Sequence, residues 1–314
     1  MTILERLERW HTTGAINGAQ YEAIVALVRK DRFSVFVELN TILYLGVLAF
    51  VAGVGWTIET HFANLGDALI LSALTLIFGF SLHYCFARGR AYSNGLVEAY
   101  GFAFDYVLYL GCLVFAIELG YVESRFHLLQ TGWNNYLLLS ACVFFALAYR
   151  FDNRFVLSLA LSTLAGWFSL RLSNFPEVGG PSLRASALVY GSLVALAGTA
   201  LYRAGIKRHF LETYLQVAAN VLFVALLSAL FNRDAHPLYL PGLFGLAGLA
   251  VALGVRFKRF AFVVYGVVYG YIGVSARVMR EIDSFSGALA YVAVSGTIMI
   301  VTLVVIARRF GREE

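Results

Sequence analysis

Asp105 is the acidic residue that lies deepest within an apolar stretch of this sequence. Gly101, Asp105, Tyr109 and Cys112 are spaced by four, four and three residues, so a helix would place them on one face. An ionised side chain inside a membrane-spanning helix is costly and by default marks a candidate functional site. This stripe could bind a polar ligand, or it could hold neighbouring helices together through hydrogen bonds worth roughly 0.6 kcal/mol each.

A second polar stripe consists of Thr213, Gln216 and Asn220, which also share one helical face. Val97-Glu98-Ala99-Tyr100 resembles Leu211-Glu212-Thr213-Tyr214 at an offset of 114 residues. At this offset Tyr106 corresponds to Asn220 and Phe102 to Gln216, so the two stripes are predicted to lie at similar depth in equivalent helices. If the stripes face each other, they line a polar pocket in the cytoplasmic half of the membrane. If they do not, they serve helix packing.

Three further ionisable residues, Glu118, Arg171 and Arg277, are predicted near the outer ends of their helices. An arginine at such a position can extend its side chain to the lipid headgroups at little cost. Alternatively, Arg171 and Arg277 could form a symmetric anion site, with Glu118 paired to one of them. The sequence leaves both interpretations open and adds these three residues to the candidate binding set.

Catalytic and metal-binding patterns are not found in the sequence. The six histidines fall in different segments, and no pair has the i, i+4 spacing of a helical metal site. Neither a nucleophile elbow nor a phosphate-binding glycine loop is present. We therefore predict no enzymatic activity, no metal and no cofactor.

The composition defines the elements that must position these residues. Of the 314 residues, 60% are hydrophobic and 14% are charged, and the mean hydropathy is +0.74. Soluble domains are typically about 25% charged, so a soluble enzyme, a disordered chain, a disulfide scaffold and a nucleic-acid-binding domain are excluded. We predict an all-α integral membrane protein with ten transmembrane helices. The predicted spans are about 38–58, 66–86, 100–120, 133–149, 155–172, 184–202, 213–231, 239–256, 259–278 and 287–307.

Positive charge alternates between successive loops. With a cytoplasmic N-terminus, the inner segments hold 18 of the 24 Lys and Arg residues and the outer segments hold six. Cytoplasmic loops of membrane proteins are enriched in Lys and Arg, so this alternation places both termini in the cytoplasm. The net charge of +5 therefore indicates orientation in the bilayer rather than affinity for nucleic acid.

Residues 1–35 differ from the membrane domain at 36–312 and form a predicted cytoplasmic helical hairpin. Thr12-Thr13-Gly14 should end its first helix, and Asn17 with Gln20 resembles a capping box that starts its second. Such a hairpin is too small to hold a core alone. It should dock on the membrane, on its own bundle or on a protein partner.

The membrane domain shows signs of a parallel duplication of a four-helix unit. An Arg-Phe pair at 150–151 recurs at 256–257, an offset of 106 residues. Together with the match at an offset of 114 residues, this recurrence defines repeat A (about 66–172) and repeat B (about 184–278). The first and tenth helices flank the two repeats. Because four helices is an even number, both copies would have the same orientation in the membrane.

Small residues predict close helix contacts in the ninth span. Gly266 and Gly270 form a Gly-x-x-x-Gly motif, which lets helix backbones approach closely within one chain or between copies in a homo-oligomer. Gly242, Gly245 and Gly248 suggest close packing of the eighth span as well.

The N-terminal quarter, about residues 4–90, contains three features that occur together. They are Leu7-x-x-Trp10-x-x-x-Gly14-x-Ile16-x-x-x-Gln20, a Gly-rich first span, and Ala63-Asn64-Leu65-Gly66-Asp67. In these features the chain resembles the opening of a bacterial family of predicted multi-pass membrane proteins that is known as a domain of unknown function. The resemblance implies a bacterial inner-membrane protein and brings no substrate or catalytic residue.

Two functions are consistent with the sequence. The first is a carrier or pore-like protein for a small or lipid-like molecule, favoured by the number of spans, the duplication and the paired polar stripes. The second is a non-transporting scaffold, sensor or accessory subunit that docks a partner through residues 1–35. Short loops, few ionisable residues and the separate hairpin favour the second.

Overall fold

A computed structural model of the chain describes residues 3–18, 20–21, 46, 49, 53, 66–97, 101–126, 133–173, 181–231, 238–282 and 284–310. All regular secondary structure within these ranges is helical, and no strand occurs among them. The all-helical class predicted from composition is therefore confirmed for this part of the chain. The chain divides into two compact units, Met1–Ile70 and Leu71–Glu314.

In the first unit, helix α1 (Ile3–Thr12) ends where the sequence predicts. Gly14 adopts a φ of +73°, a left-handed conformation that glycine accepts without steric cost. The capping box is also present. The backbone N–H of Gln20 donates to Asn17 Oδ1 at 2.8 Å, and that of Asn17 donates to Gln20 Oε1 at 3.0 Å. The remainder of the predicted hairpin, after residue 21, lies outside the described residues.

Nine further α-helices follow within the described ranges, and each corresponds to one predicted span from the second to the tenth. A short 3-10 helix, Arg208–Phe210, precedes the seventh predicted span. The first predicted span, 38–58, lies outside the described residues apart from Gly46, Ala49 and Gly53. The helices are α2 (Asp67–Arg88), α3 (Phe102–Phe126), α4 (Trp133–Phe151), α5 (Arg154–Ser173), α6 (Pro181–Arg203), α7 (Leu211–Leu230), α8 (Tyr239–Arg256), α9 (Phe260–Val278) and α10 (Phe285–Phe310).

Seven of the described helices, α2, α3 and α6 to α10, are long and apolar enough to cross a membrane. The helix α4, with 19 residues, is also apolar. The helix α5 packs against α4, α6 and α7. Val156, Leu157 and Ala160 of α5 are fully buried. Neighbouring helices therefore enclose this part of α5.

Helices that follow one another along the chain make the most extensive contacts, in the pairs α4/α5, α6/α7 and α8/α9. In the last pair, a Cβ added at Gly266 would lie 2.6 Å from the backbone oxygen of Ala247. The predicted close-packing role of this glycine motif is thereby confirmed. The homo-oligomer surface predicted at Gly266 and Gly270 is wrong for Gly266, because α8 of the same chain already covers it.

The predicted close packing of the α8 glycines is only partly correct. A Cβ at Gly242 would contact Leu226 at 3.5 Å, whereas Gly245 and Gly248 have nothing within 4 Å of that position. Both of the latter are exposed on the outside of the bundle. Their small size is therefore not needed for the helix contacts among the described residues.

Two of the tight turns share one backbone geometry. Asp152 after α4 and Lys258 after α8 have φ values of 58° and 53°. In both turns the next residue donates its N–H to a carbonyl five residues earlier, from Asn153 to Ala148 and from Arg259 to Gly254. This bond and the left-handed residue form a Schellman motif, which ends a helix by pairing its free carbonyls. The two turns are 106 residues apart, the offset at which the Arg-Phe pair recurs.

Candidate functional site

Asp105 and Tyr109 on α3 share one hydrogen-bond donor. The Nδ2 of Asn153 lies 2.9 Å from Asp105 Oδ1 and 3.0 Å from Tyr109 Oη. The Oδ1 of Asn153 accepts the backbone N–H of Val156 at 3.0 Å, which caps the first turn of α5. Asn153 is buried. Its side-chain amide therefore binds two polar groups of α3 and caps the start of α5 within the protein interior.

The stripe on α7 finds its partner on α9. Tyr269 donates its hydroxyl to Asn220 Oδ1 at 2.7 Å, and Asn220 Nδ2 donates to the carbonyl of Gln216 at 2.8 Å. The ring of Tyr269 also stacks on Phe223, with centroids 4.6 Å apart. The two predicted stripes thus bond to different neighbours, and the structure does not bring them together into one pocket.

A cavity of about 500 Å³ lies between α6, α7 and α9. Its polar lining comes from Arg184 at the start of α6, Asn220 and Ser228 on α7, and Tyr269 on α9. The amide of Asn220 and the hydroxyl of Ser228 already make hydrogen bonds, the latter to Ala225 O at 2.8 Å. The other lining residues are apolar: Leu183, Ala187, Val221, Val224 and Ala225.

Arg184 is the polar residue of this cavity that the sequence does not reveal, because there it is only one of the six Lys and Arg residues of the outer segments. It is 5% exposed, and its Nε has no hydrogen-bond partner among the described residues. The guanidinium lies 5.9 Å from the centroid of the Tyr239 ring on α8. An arginine near the end of an apolar stretch is expected to reach the headgroups, so only tertiary packing reveals that this one is buried.

The three candidates at the outer helix ends do not form a cluster. Glu118 accepts a hydrogen bond from Thr75 on α2 at 2.5 Å. Arg171 and Arg277 are exposed, and neither is paired with Glu118 among the described residues. The exposure of both arginines matches the interpretation in which they extend towards headgroups.

A buried ion cluster, formed by Asp152, Lys207 and His209, joins three turns at one end of the bundle. Asp152 Oδ1 lies 3.0 Å from Lys207 Nζ and 2.5 Å from His209 Nε2, and Asp152 Oδ2 accepts the N–H of Val97 at 2.7 Å. The side chains of Lys207 and Asp152 are 0% and 2% exposed. Sequence reasoning used Lys207 only as an orientation charge, since its partner is 55 residues away and no local pattern links them.

A second set of ion pairs extends this end of the bundle to the α8–α9 turn. Glu212 at the start of α7 lies 3.6 Å from Arg154 and 3.1 Å from Arg259. The turns after α2, α4, α6 and α8 therefore lie at the same end, as the alternating topology predicts. In the described part of the chain, no group of three or more His, Cys, Asp or Glu side chains is arranged to hold a metal.

The comparison with protein families bears on the first half of this architecture. Residues 8–157 match the family model described as "Predicted membrane protein (DUF2157)". The match covers just under half of the chain and confirms the resemblance to a membrane-protein family of unknown function. Neither a curated protein nor a solved structure matches the chain.

The family match includes one of the two polar sites. Asp105, Tyr109 and Asn153 lie within the matched residues, whereas Arg184 and Asn220 lie beyond them. The chain is thus a membrane protein with several apolar helices, and its cavity belongs to the part that the family model does not cover.

Proposed function

We propose that this membrane protein is a carrier or pore-like protein for a small or lipid-like molecule, which binds in the cavity between α6, α7 and α9. The observation that carries the proposal is the cavity itself, at about 500 Å³. Sites for small molecules are concave, mostly apolar and about 300–1,000 Å³ in volume, with a few placed polar groups. The Asn220–Tyr269 pair and Arg184 supply such groups.

The position of the cavity supports entry from the bilayer. Val224 lines it and is 57% exposed on the side of the bundle, where a membrane protein meets lipid. Leu183, Ala187 and Ser228 lie towards the end of the bundle opposite the buried ion cluster, because α6 runs towards that cluster and α7 runs away from it. A lipid-like molecule could therefore reach the cavity sideways.

The membrane setting completes the proposal. The buried ion cluster and both termini face the cytoplasm of a bacterial cell, in its inner membrane, as the distribution of Lys and Arg favours. Repeats A and B arose by parallel duplication. The shared turn geometry at Asp152 and Lys258 and the matching helix pairs α4/α5 and α8/α9 support this duplication.

A flux assay tests the proposal. Purified protein in proteoliposomes should speed the movement of a fluorescent single-chain lipid between leaflets relative to protein-free liposomes. Ala187→Trp fills the cavity and should reduce this rate at least fivefold, whereas Ala252→Trp, at an exposed position on α8, should not. Wild-type flux equal to that of empty liposomes, or insensitive to Ala187→Trp, would contradict it.

The alternative function, a scaffold, sensor or accessory subunit, is favoured by a different observation. Trp10 on α1 is 51% exposed, and exposed tryptophans are enriched at the centres of protein interfaces. A tagged chain should then co-purify a specific protein from native membranes, and deletion of residues 1–35 should release it. Co-purification that survives this deletion would exclude the hairpin as the docking element.

A further inference from the structure

The cavity between α6, α7 and α9 contains Arg184, a cation that is paired with no acidic side chain among the described residues. Arg184 is only 5% exposed to solvent, and its Nε has no hydrogen-bond partner among the described residues. None of the described residues that line the cavity is acidic. A buried charge is strongly unfavourable unless it is paired, and arginine cannot relieve the cost by losing its proton.

The surroundings of Arg184 favour an anion at this place. Arg184 belongs to the first turn of α6, where free backbone N–H groups and the helix dipole add positive potential. The aromatic ring of Tyr239 faces the guanidinium without neutralising it. A guanidinium presents parallel N–H donors that match a carboxylate or a phosphate.

The remaining wall cannot bind a fully polar ligand. Leu183, Ala187, Val221, Val224 and Ala225 form an apolar surface beside the arginine. The polar groups of Asn220 and Ser228 are already engaged within the protein. A ligand that satisfies both parts of the cavity has one anionic headgroup and an apolar chain.

We infer that the cavity is a binding site for anionic amphiphiles, in which Arg184 holds a phosphate or carboxylate headgroup and the apolar wall contacts the hydrocarbon chain. This inference rests on the proposed role of the cavity as the ligand site, but it does not require transport. The same chemistry is offered by a bilayer phospholipid and by a free single-chain amphiphile.

Binding of dodecyl phosphate to the full chain in phosphatidylcholine nanodiscs tests the inference. Titration calorimetry should show saturable binding at least tenfold tighter than that of dodecyl maltoside, which has the same chain and a neutral headgroup. Inorganic phosphate alone should bind at least tenfold more weakly than dodecyl phosphate. Equal affinity of wild-type protein for the two dodecyl compounds would overturn the inference and requires no variant.

Substitutions assign the headgroup contact to Arg184. Arg184→Gln should abolish the preference for dodecyl phosphate, and Arg184→Lys should retain part of it, because lysine keeps the charge but not the planar fork. Arg203→Gln is the matched control, since Arg203 is exposed at the other end of α6 and does not line the cavity. A preference that survives in Arg184→Gln would overturn the assignment.

Two further readouts separate the sources and the proposals. If added phosphatidylglycerol in the nanodisc weakens dodecyl phosphate binding, a bilayer lipid occupies the site, and if it does not, the site takes a free amphiphile. Arg184-dependent binding without flux would leave the inference intact and refute the carrier. Flux without a headgroup preference would support the carrier and overturn the inference.

Discussion

At the scale of single residues, Asn153 links the sequence's leading candidate to the architecture. Asp105 was a candidate because an acid inside an apolar helix requires a partner. The structure supplies that partner from the α4–α5 turn, and the same amide caps α5. The arrangement matches the helix-packing interpretation of this stripe, and the cavity does not include Asp105.

Replacing Asn153 with alanine should lower the stability of the protein. The change removes the donor to Asp105 and Tyr109 and the cap of α5, and it leaves a partly buried carboxylate without that bond. We expect a loss of about 1–3 kcal/mol, the usual cost of an unsatisfied buried group. Thermal unfolding in detergent, followed by circular dichroism, measures the change.

Asn94→Ala provides the control, because Asn94 is exposed in the α2–α3 turn and bonds only locally, to Tyr92. It should lower Tm much less than Asn153→Ala. Similar losses for the two variants would show that Asn153 is not an anchor of the bundle.

At the scale of helices and turns, buried and exposed ion pairs at one end of the bundle differ in importance. Asp152 is paired with a lysine whose side chain is 0% exposed, whereas Glu212 is paired with Arg154 and Arg259, which are 51% and 56% exposed. Removing one partner of a buried pair leaves an uncompensated charge, while solvent screens an exposed pair.

Asp152→Asn should therefore be severely destabilising, at about 3–5 kcal/mol, because Lys207 loses its counter-charge. Asparagine accepts the left-handed backbone at this position, so the loss would report the ion pair rather than strain. Glu212→Gln should cost at most about 1 kcal/mol. Unfolding in mixed detergent, monitored by tryptophan fluorescence, compares them, and equal costs would contradict the burial argument.

The contact between α8 and α9 depends on the absence of a side chain at Gly266. Gly266→Ala should destabilise the protein by about 1–3 kcal/mol, the usual cost of overpacking, since its Cβ would lie 2.6 Å from Ala247 O. Gly248→Ala should be neutral or slightly stabilising, because its Cβ meets nothing within 4 Å and alanine favours helix. Comparing the Tm values of the two variants tests this prediction. A Gly266→Ala protein as stable as wild type would contradict the close approach of α8 and α9 at Gly266.

At the scale of the whole molecule, orientation in the membrane follows from charge and can be measured directly. Ala91 lies in the turn after α2, and Glu281 lies between α9 and α10; both are exposed. We expect the first to lie in the cytoplasm and the second outside, because the distribution of Lys and Arg favours that orientation.

A cysteine introduced at each of these two positions should therefore react differently with a membrane-impermeant maleimide in intact cells. In a Cys142→Ala background, Glu281→Cys should be labelled from outside, whereas Ala91→Cys should be labelled only after the cells are permeabilised. Cys85 and Cys112 are buried and should stay unreactive. The reverse pattern would invert the topology, and labelling of both sites from outside would contradict the alternation.

Several properties could be predicted from the sequence because they depend on local patterns. Apolar runs of span length define α2 to α10, and a Gly after Thr13 ends α1 with a residue that tolerates positive φ. The reciprocal bonds of Asn17 and Gln20 lie three residues apart, so their types and spacing were sufficient to predict them. Gly266 was identified for the same reason.

Other features were decided only by the tertiary structure, because they depend on contacts between residues far apart in sequence. Asn153 meets Asp105 across 48 residues, and Asp152 meets His209 across 57. The sequence identifies Arg184 only as a charge near the end of a helix. Packing of α6 against α7 buries this charge beside an apolar cavity that Tyr269 of α9 also lines. A buried, unpaired arginine is costly, and this cost is the basis of the proposed anion site.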